Sequence, residues 1–425
     1  MQRKSLRRTW RGACLAAVLP CIAPALAGQE SSQPGPRRVA LDEALAAAEA
    51  GSLDLQLARG AVDAARARVL TAGTRPNPTV ALDREQLGGN GVSHETVLSV
   101  GQSLDLAGQR GARREAATRE VSAAEVRVEA ERARVGADVT RAYLRAATAE
   151  ARLASLAEAG DLFRTAEQAG QVRFREGDIS AYELQRLQLE AARYVTLSEE
   201  AAFELRQAGR ELAFLLRPGS APPGDDIVLP ADTLGGIALH AASLAADTAL
   251  ARALRRADIR AAEADVGAAR AAVDLRIRGR RPNPTLMAGL KEQAGGMAGA
   301  VVGVSVPLPL SDRSQGPIAE ARAALAQAET RVAIARRAAE ADVRRALERR
   351  AALAERLRLR EGLLARARAL LATARVAYAE GETSLLELLD AAETFRTTRE
   401  GADALLAEYL TSVADLERAT GGTDR

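Results

Sequence analysis

The sequence predicts a mainly α-helical protein with a small β part, written twice within one chain of 425 residues. Three observations point there. No proline occurs between Pro78 and Pro218 or after Pro317, which leaves two long stretches free to be helix. Landmarks recur in one order: RPNPT at 75–79 and 281–285, VGQSLDLAGQRG at 100–111 against VSVPLPLSDRSQG at 304–316, and VRFREGDISAYELQRLQLEAA at 172–192 against VAYAEGETSLLELLDAAET at 376–394. Aromatic residues are only 3% of the chain, so closely packed Ala-rich helices, not an aromatic core, carry the burial.

The elements follow in order. Residues 1–27 read as a cleaved secretory signal, with Arg3, Lys4, Arg7, Arg8 and Arg11 ahead of an apolar stretch and Ala25-Leu26-Ala27 at the cleavage site. Pro20 before Cys21 argues for ordinary cleavage and against a lipid anchor. Losing those five cations takes the formal net charge from +3 to about −2, so the basic pI does not point to nucleic acid. Both cysteines, Cys14 and Cys21, leave with the signal, which excludes disulfides and thiol chemistry. Residues 28–39 form an N-terminal extension, 40–217 the first repeat, 218–235 a Pro/Gly-rich linker and 236–421 the second repeat.

Within each repeat an Ala-rich helix stops at RPNP, where Pro76 and Pro78, and then Pro282 and Pro284, break it. A β-hairpin follows, about 79–104 and about 285–308, with strands expected at 79–87, 96–104, 285–293 and 300–308. GGNG at 88–91 and AGG at 294–296 supply the turns. Leu98, Val100 and Leu104, and Val302, Val304, Val306 and Leu308, alternate with small or polar residues and mark one apolar face. A long helix then runs to Gly177, with Val121, Val128 and Val135 spaced by sevens. Ser180 with Glu183, and Ser384 with Glu387, read as capping boxes that start return helices just beyond Gly177 and Gly381.

Strands of nine residues suit a tilted crossing of a bilayer, and no apolar run after the signal is long enough for a membrane helix. Four strands cannot close a barrel, and an open edge in lipid leaves backbone groups unpaired. Spanning therefore requires copies to join. Three would give twelve strands.

The ordered set of these phrases resembles the TolC-type outer-membrane factor family over about residues 40–420. LDLAGQRGAR and SVPLPL-x-DR-x-QG are most similar to the outer-membrane component of cobalt-zinc-cadmium efflux systems, the CzcC type. The resemblance implies a homotrimer with a 12-stranded outer-membrane β-barrel continued by a periplasmic α-barrel. It implies a passive conduit, not an enzyme, that meets a periplasmic adaptor and, through it, an inner-membrane pump of the resistance-nodulation-division (RND) type. Heavy-metal cations such as Co, Zn and Cd are the implied cargo. Two features depart from the pattern: the strands have no Phe, Trp or Tyr for aromatic girdles, and Ser311 stands where the family phrase usually has an aromatic.

The resemblance also implies site residues. Glu387 and Asp390, six and nine positions after Gly381, match acidic residues that line the periplasmic entrance, where rings of carboxylates favour cations. Glu387 fits equally as a helix-capping partner. Glu183 and Tyr378 match positions that link neighbouring hairpins in the closed entrance, while Thr383 stands where the family has a basic partner. Gly177, Ser180, Gly381 and Ser384 are the implied adaptor-docking tips.

No cofactor or metal site is expected within the chain. His94 and His240 are the only histidines and lie in different segments, and Met287 and Met297 read as packing beside the second hairpin turn. Neither G-x-S-x-G, a P-loop nor a Cys-His pair is present. The residues leave drug efflux or type I protein secretion open as alternative cargo. A periplasmic adaptor or a structural coiled coil is the alternative of another class, which a heat-modifiable trimer in outer-membrane extracts distinguishes.

Overall fold

The computed structural model describes residues 37–88, 93–216, 227–230, 233–237, 239 and 243–422. The segment read as a signal, most of the expected extension, much of the expected linker, the centre of the GGNG turn and His240 lie outside them.

Strand β1 (Arg37–Arg38) leads into helices α1 (Leu41–Gly51) and α2 (Leu53–Gly73). The sequence suggested one Ala-rich helix here. The structure divides it at buried Ser52, whose hydroxyl accepts the Leu55 amide at 3.3 Å and so caps a second helix. Strands β2 (Thr79–Leu87) and β3 (Ser93–Ser103) form the first hairpin. Helices α3 (Gln109–Glu176) and α4 (Ala181–Leu216) then make a long helical hairpin, α3 alone about 100 Å.

Residues 227–228 form strand β4, which pairs parallel with β1, and Thr233–Gly236 is a short helix, α5. The segment expected as linker is therefore partly structured, and it ties the chain's beginning to its midpoint. That pairing has no signature in either two-residue strand.

The second half repeats the series: α6 (Ala246–Ala253), α7 (Ala257–Gly279), β5 (Thr285–Gln293), β6 (Met297–Ser305), α8 (Gln315–Ala379) and α9 (Leu385–Ala419). Strands β2-β3-β5-β6 form one antiparallel sheet.

Two strand ranges differ from expectation. β3 runs 93–103, not 96–104, and β6 runs 297–305, not 300–308. Polar Ser93 to Glu95 and the small run Met297 to Gly299 extend the ladder toward the turns. At the other end Leu104 and Val306 fall opposite Pro284, which has no amide to give, and only the bond from Leu104 N to Pro284 O (2.8 Å) forms. Leu104, Val306 and Leu308 are consequently outside the strands of the single chain. The second turn is as read: Gly295 and Gly296 hold φ of 97° and 78°.

The main core lies where both repeats meet below the sheet. Tyr143, Leu144, Leu55, Leu212, Leu216 and Leu410 pack there, and the buried Tyr143 hydroxyl donates to Val39 O at 3.1 Å. Burial lifts the Tyr143 phenol above its ordinary range, reinforced by the Glu150 charge. Smaller clusters continue down the hairpins: Phe163 stacks on Tyr194 with ring centroids 4.9 Å apart. Nearest the tips, Leu187, Leu385, Leu388 and Tyr378 pack together.

Candidate functional site

Two regions carry the residues that the sequence singles out: the sheet at one end and the helical tips at the other. In the sheet, cross-strand register decides which side chains share a face. Val80 and Leu82 lie opposite Val100 and Leu98; these oppose Ala288 and Leu290; these in turn oppose Val302 and Ala300. Leu286 and Val304 complete the set. One face is thus apolar across all four strands, and it is bare: Leu82 is 69% exposed, Leu290 70% and Val302 76%. Of the seven predicted apolar positions, Leu98, Val100, Val302 and Val304 lie on this face within strands.

The opposite face is mixed, with glycines and polar side chains beside Val97, Val301, Met287 and Met297. Its rows read Thr79–Gly101–Met287–Gly303, Ala81–Ser99–Gly289–Val301, Asp83–Val97–Lys291–Gly299 and Glu85–Glu95–Gln293–Met297. Lys291 Nζ pairs with Glu95 at 2.6 Å, leaving Asp83 and Glu85 as a carboxylate excess on this face. A β-carbon on Gly289 would come 2.4 Å from the Leu98 carbonyl oxygen, so only glycine allows β5 to lie this close to β3. Among the described residues the outer flanks of β2 and β6 have no strand beside them. A sheet with an exposed apolar band across one face, bordered by Arg84, Thr96, Glu292 and Gln102, and two open edges is a fragment of a larger closed surface.

The sheet is anchored to the helices by Asp105. Its carboxylate accepts the amides of Gln109, at 2.8 Å, and Arg110, satisfying donors at the start of α3. Although burial opposes ionisation, these amides and nearby Arg113 hold the Asp105 carboxyl below its ordinary range.

At the first tip Gly177 ends α3 with φ 85°, and the Asp178 amide reaches back to Arg173 O at 2.8 Å. Ser180 and Glu183 exchange bonds: Ser180 N donates to Glu183 Oε2 at 2.9 Å and Glu183 N to Ser180 Oγ at 3.2 Å. The second tip repeats this, with Gly381 at φ 78°, Ser384 N donating to Glu387 Oε2 at 3.2 Å and Glu387 N to Ser384 Oγ at 3.4 Å. Both glutamates are engaged in caps. Asp390, one turn beyond Glu387, is exposed and forms no hydrogen bond or ion pair among the described residues.

The structure also brings the two tips together through a residue that sequence reading missed. Arg173, in the last turn of α3, lies 5.2 Å over the Tyr378 ring and donates to Tyr378 O at 3.3 Å. Helices α3 and α8 both end at the tips, and the Arg173 guanidinium, carried on α3, sets a positive charge at the negative C-terminal pole of α8. Tyr378 is buried, and burial raises its phenol, with Arg173 opposing the shift and Glu183 adding to it. Its hydroxyl and that of Thr383 are buried without a partner among the described residues. No sequence signal pairs Arg173 with Tyr378, because they lie 205 positions apart in different repeats.

Among the described residues no helix is long and apolar enough to cross a membrane, and no group of three or more His, Cys, Asp or Glu could hold a metal ion. His94 sits opposite Gln86 near the first turn.

Fold and faces together define a subunit of a membrane channel, a four-stranded sheet with one apolar band carried on long helical hairpins. The profile of the outer membrane efflux protein family matches residues 44–216 and 249–422, one match to each repeat, and the chain belongs to that family. It is an outer-membrane efflux channel and performs no catalysis. Solved structures share the fold. CusC, whose crystal structures concern folding and transmembrane channel formation, is 22% identical with TM-score 0.69, over 93% of this chain and 96% of that one. A membrane protein from Pseudomonas aeruginosa is 21% identical with TM-score 0.74, over 90% of each chain. VceC, an outer membrane protein from Vibrio cholerae, is 20% identical with TM-score 0.69, over 91% of this chain and 97% of that one. No curated protein matches the chain.

Proposed function

We propose that three copies of this chain close a twelve-stranded barrel in the outer membrane, and that their helical hairpins continue it as a periplasmic tube. The observation that carries this is the sheet: ten apolar side chains clustered on one face, a mixed face with Asp83, Glu85 and Glu95 on the other, and both edges open among the described residues. In lipid such edges cost several kcal/mol per unpaired group, roughly, and only closure removes them.

The channel serves a tripartite efflux system. The tips at Gly177, Ser180, Gly381 and Ser384 meet a periplasmic adaptor that links to an RND-type pump in the inner membrane. Asp390 lines the periplasmic entrance; Glu387 and Glu183 hold the helix starts that position it; Tyr378 and Arg173 join the two tips of one subunit. The cargo is a heavy-metal cation such as Co, Zn or Cd. Supporting this are the CzcC-like phrases at 104–113 and 305–316 and the carboxylate excess of Asp83, Glu85 and Glu95 over Lys291 on the polar face of the sheet. Such a face favours cations over anions.

Deleting the gene and growing the strain on Co, Zn, Cd, Ni, Cu, Ag and a set of drugs tests the cargo. Sensitivity to the divalent metals alone is expected. Sensitivity to drugs alone would overturn the metal reading and leave the channel reading in place.

A further inference from the structure

The two RPNPT copies sit in unequal surroundings. The second is held by the start of the other repeat's long helix: Gln109 Nε2 donates to Arg281 O at 2.6 Å, and Asn283 Nδ2 donates to Gln109 Oε1 at 3.1 Å. Among the described residues the first is bonded only within its own repeat, where Gln102 Nε2 donates to Pro76 O at 3.0 Å. Asn283 is half-buried, whereas Asn77 is exposed.

A residue suited to hold the first copy exists. Gln315 opens α8 as Gln109 opens α3, each behind a left-handed N-cap: Gly108 at φ 68° and ψ 25°, Ser314 at φ 59° and ψ 25°. Among the described residues Ser314 is the only non-glycine with positive φ, so the repeat keeps this geometry even where a β-carbon makes it costly. Yet Gln315 meets only its own loop, accepting from Arg313 N at 2.8 Å and donating to Ser311 O at 3.4 Å.

The strands show the same imbalance. Thr79 pairs with Gly101 and Thr285 with Ser305, so β2 maps onto β5 by adding 206 and β3 onto β6 by adding 204. Between repeats, Val100 faces Ala288 and Leu98 faces Leu290. Carried through the duplication, that pairing sets Val304 opposite Leu82, Val302 opposite Arg84 and Val306 opposite Val80, all across the open edges.

Resting on the three-copy ring above, we propose the residues of its seam: β6 joins β2 of a second copy of this chain in this register, and Gln315 clamps the Arg75 carbonyl and Asn77 of that copy. Val306 then gains Val80 of β2 as a strand partner, which explains apolar alternation that continues past the end of β6. Closure supplies an independent check. A path straight across the sheet from Thr79 passes Gly101, Met287 and Gly303 and reaches Asp83 of the next copy, a stagger of four residues per copy and twelve around the ring. At about 3.4 Å per residue and about 4.8 Å between strands, twelve strands so staggered tilt by about 35°, within the range of membrane barrels. Sliding the seam by two residues either way keeps the apolar faces together but gives about 20° or about 47°.

Cysteine pairs test the seam, since Cys14 and Cys21 both lie in the signal segment. Leu82→Cys with Val304→Cys, and Arg84→Cys with Val302→Cys, are the two predicted pairs. Val80→Cys with Val302→Cys is the control, displaced by four residues, about 13 Å. After mild oxidation of outer-membrane extracts, non-reducing denaturing gels should show covalent dimers and trimers for at least one predicted pair and only monomers for the control. Cross-linking of the control alone, or of no pair in a chain that still runs as a heat-modifiable trimer, overturns the register while sparing the trimer. A chain that never runs as a trimer overturns the ring and the register together.

Discussion

Replacing Arg173 by Gln removes a cation that spans the two tips. Its guanidinium stacks over a buried ring at 5.2 Å and reaches a helix-end carbonyl at 3.3 Å. A half-buried cation–π contact contributes about 1 kcal/mol, and a long hydrogen bond from a charged donor about 0.5–1 kcal/mol more. The loss is about 1.5 kcal/mol per subunit; on the proposal that this contact holds the entrance closed and breaks on opening, that is roughly a tenfold shift of each tip toward open. Purified wild-type and Arg173→Gln trimers should be compared in planar bilayers by single-channel conductance and open-state occupancy. The control is Arg175→Gln, whose side chain bonds only Gln171 O on its own helix. The variant should open more often or more widely and the control should match wild type. If Arg173→Gln lowers thermal stability but leaves conductance and occupancy unchanged, the contact is packing alone and the argument fails.

Asp390→Asn, which removes an exposed carboxylate without a local partner, should lower the cation-to-anion permeability ratio in reversal-potential measurements, with little change in melting temperature. Gly381→Val forces a β-branched residue to φ 78°, at about 1–3 kcal/mol, and should abolish complementation of an efflux-deficient strain while trimers still reach the outer membrane. Glu393 is held below its ordinary carboxyl value of 4.5, chiefly by its hydrogen bonds from Arg396, against burial and with help from Arg193. Because the folded value is the lower one, this stabilisation is complete above 4.5 and disappears as pH falls through the folded value. Circular dichroism melts between pH 6 and pH 3 should therefore show a steeper acid decline in wild type than in Arg396→Gln.

Legibility in the sequence followed the range of the interactions. Pro76 and Pro78 act on their immediate neighbours, Ser384 and Glu387 satisfy each other three residues apart, and Gly177 answers to its own φ; all could be read directly. Strand ends were less legible because they depend on what lies opposite: Val306 and Leu308 alternate like a strand, yet Pro284 and an open flank end β6 at Ser305. The short β1–β4 pairing and the Arg173–Tyr378 contact were illegible because each joins distant segments through groups that any helix or loop contains. At the tips the sequence offered Glu387 both as a cap and as an entrance residue; the structure seats it in the cap and leaves Asp390 exposed, with no partner among the described residues.

The central claim is that one chain supplies a third of a closed barrel. Native mass spectrometry of the purified protein released from detergent micelles tests it most directly. Three chains per particle is the predicted result; a particle of one chain across several detergents would contradict it.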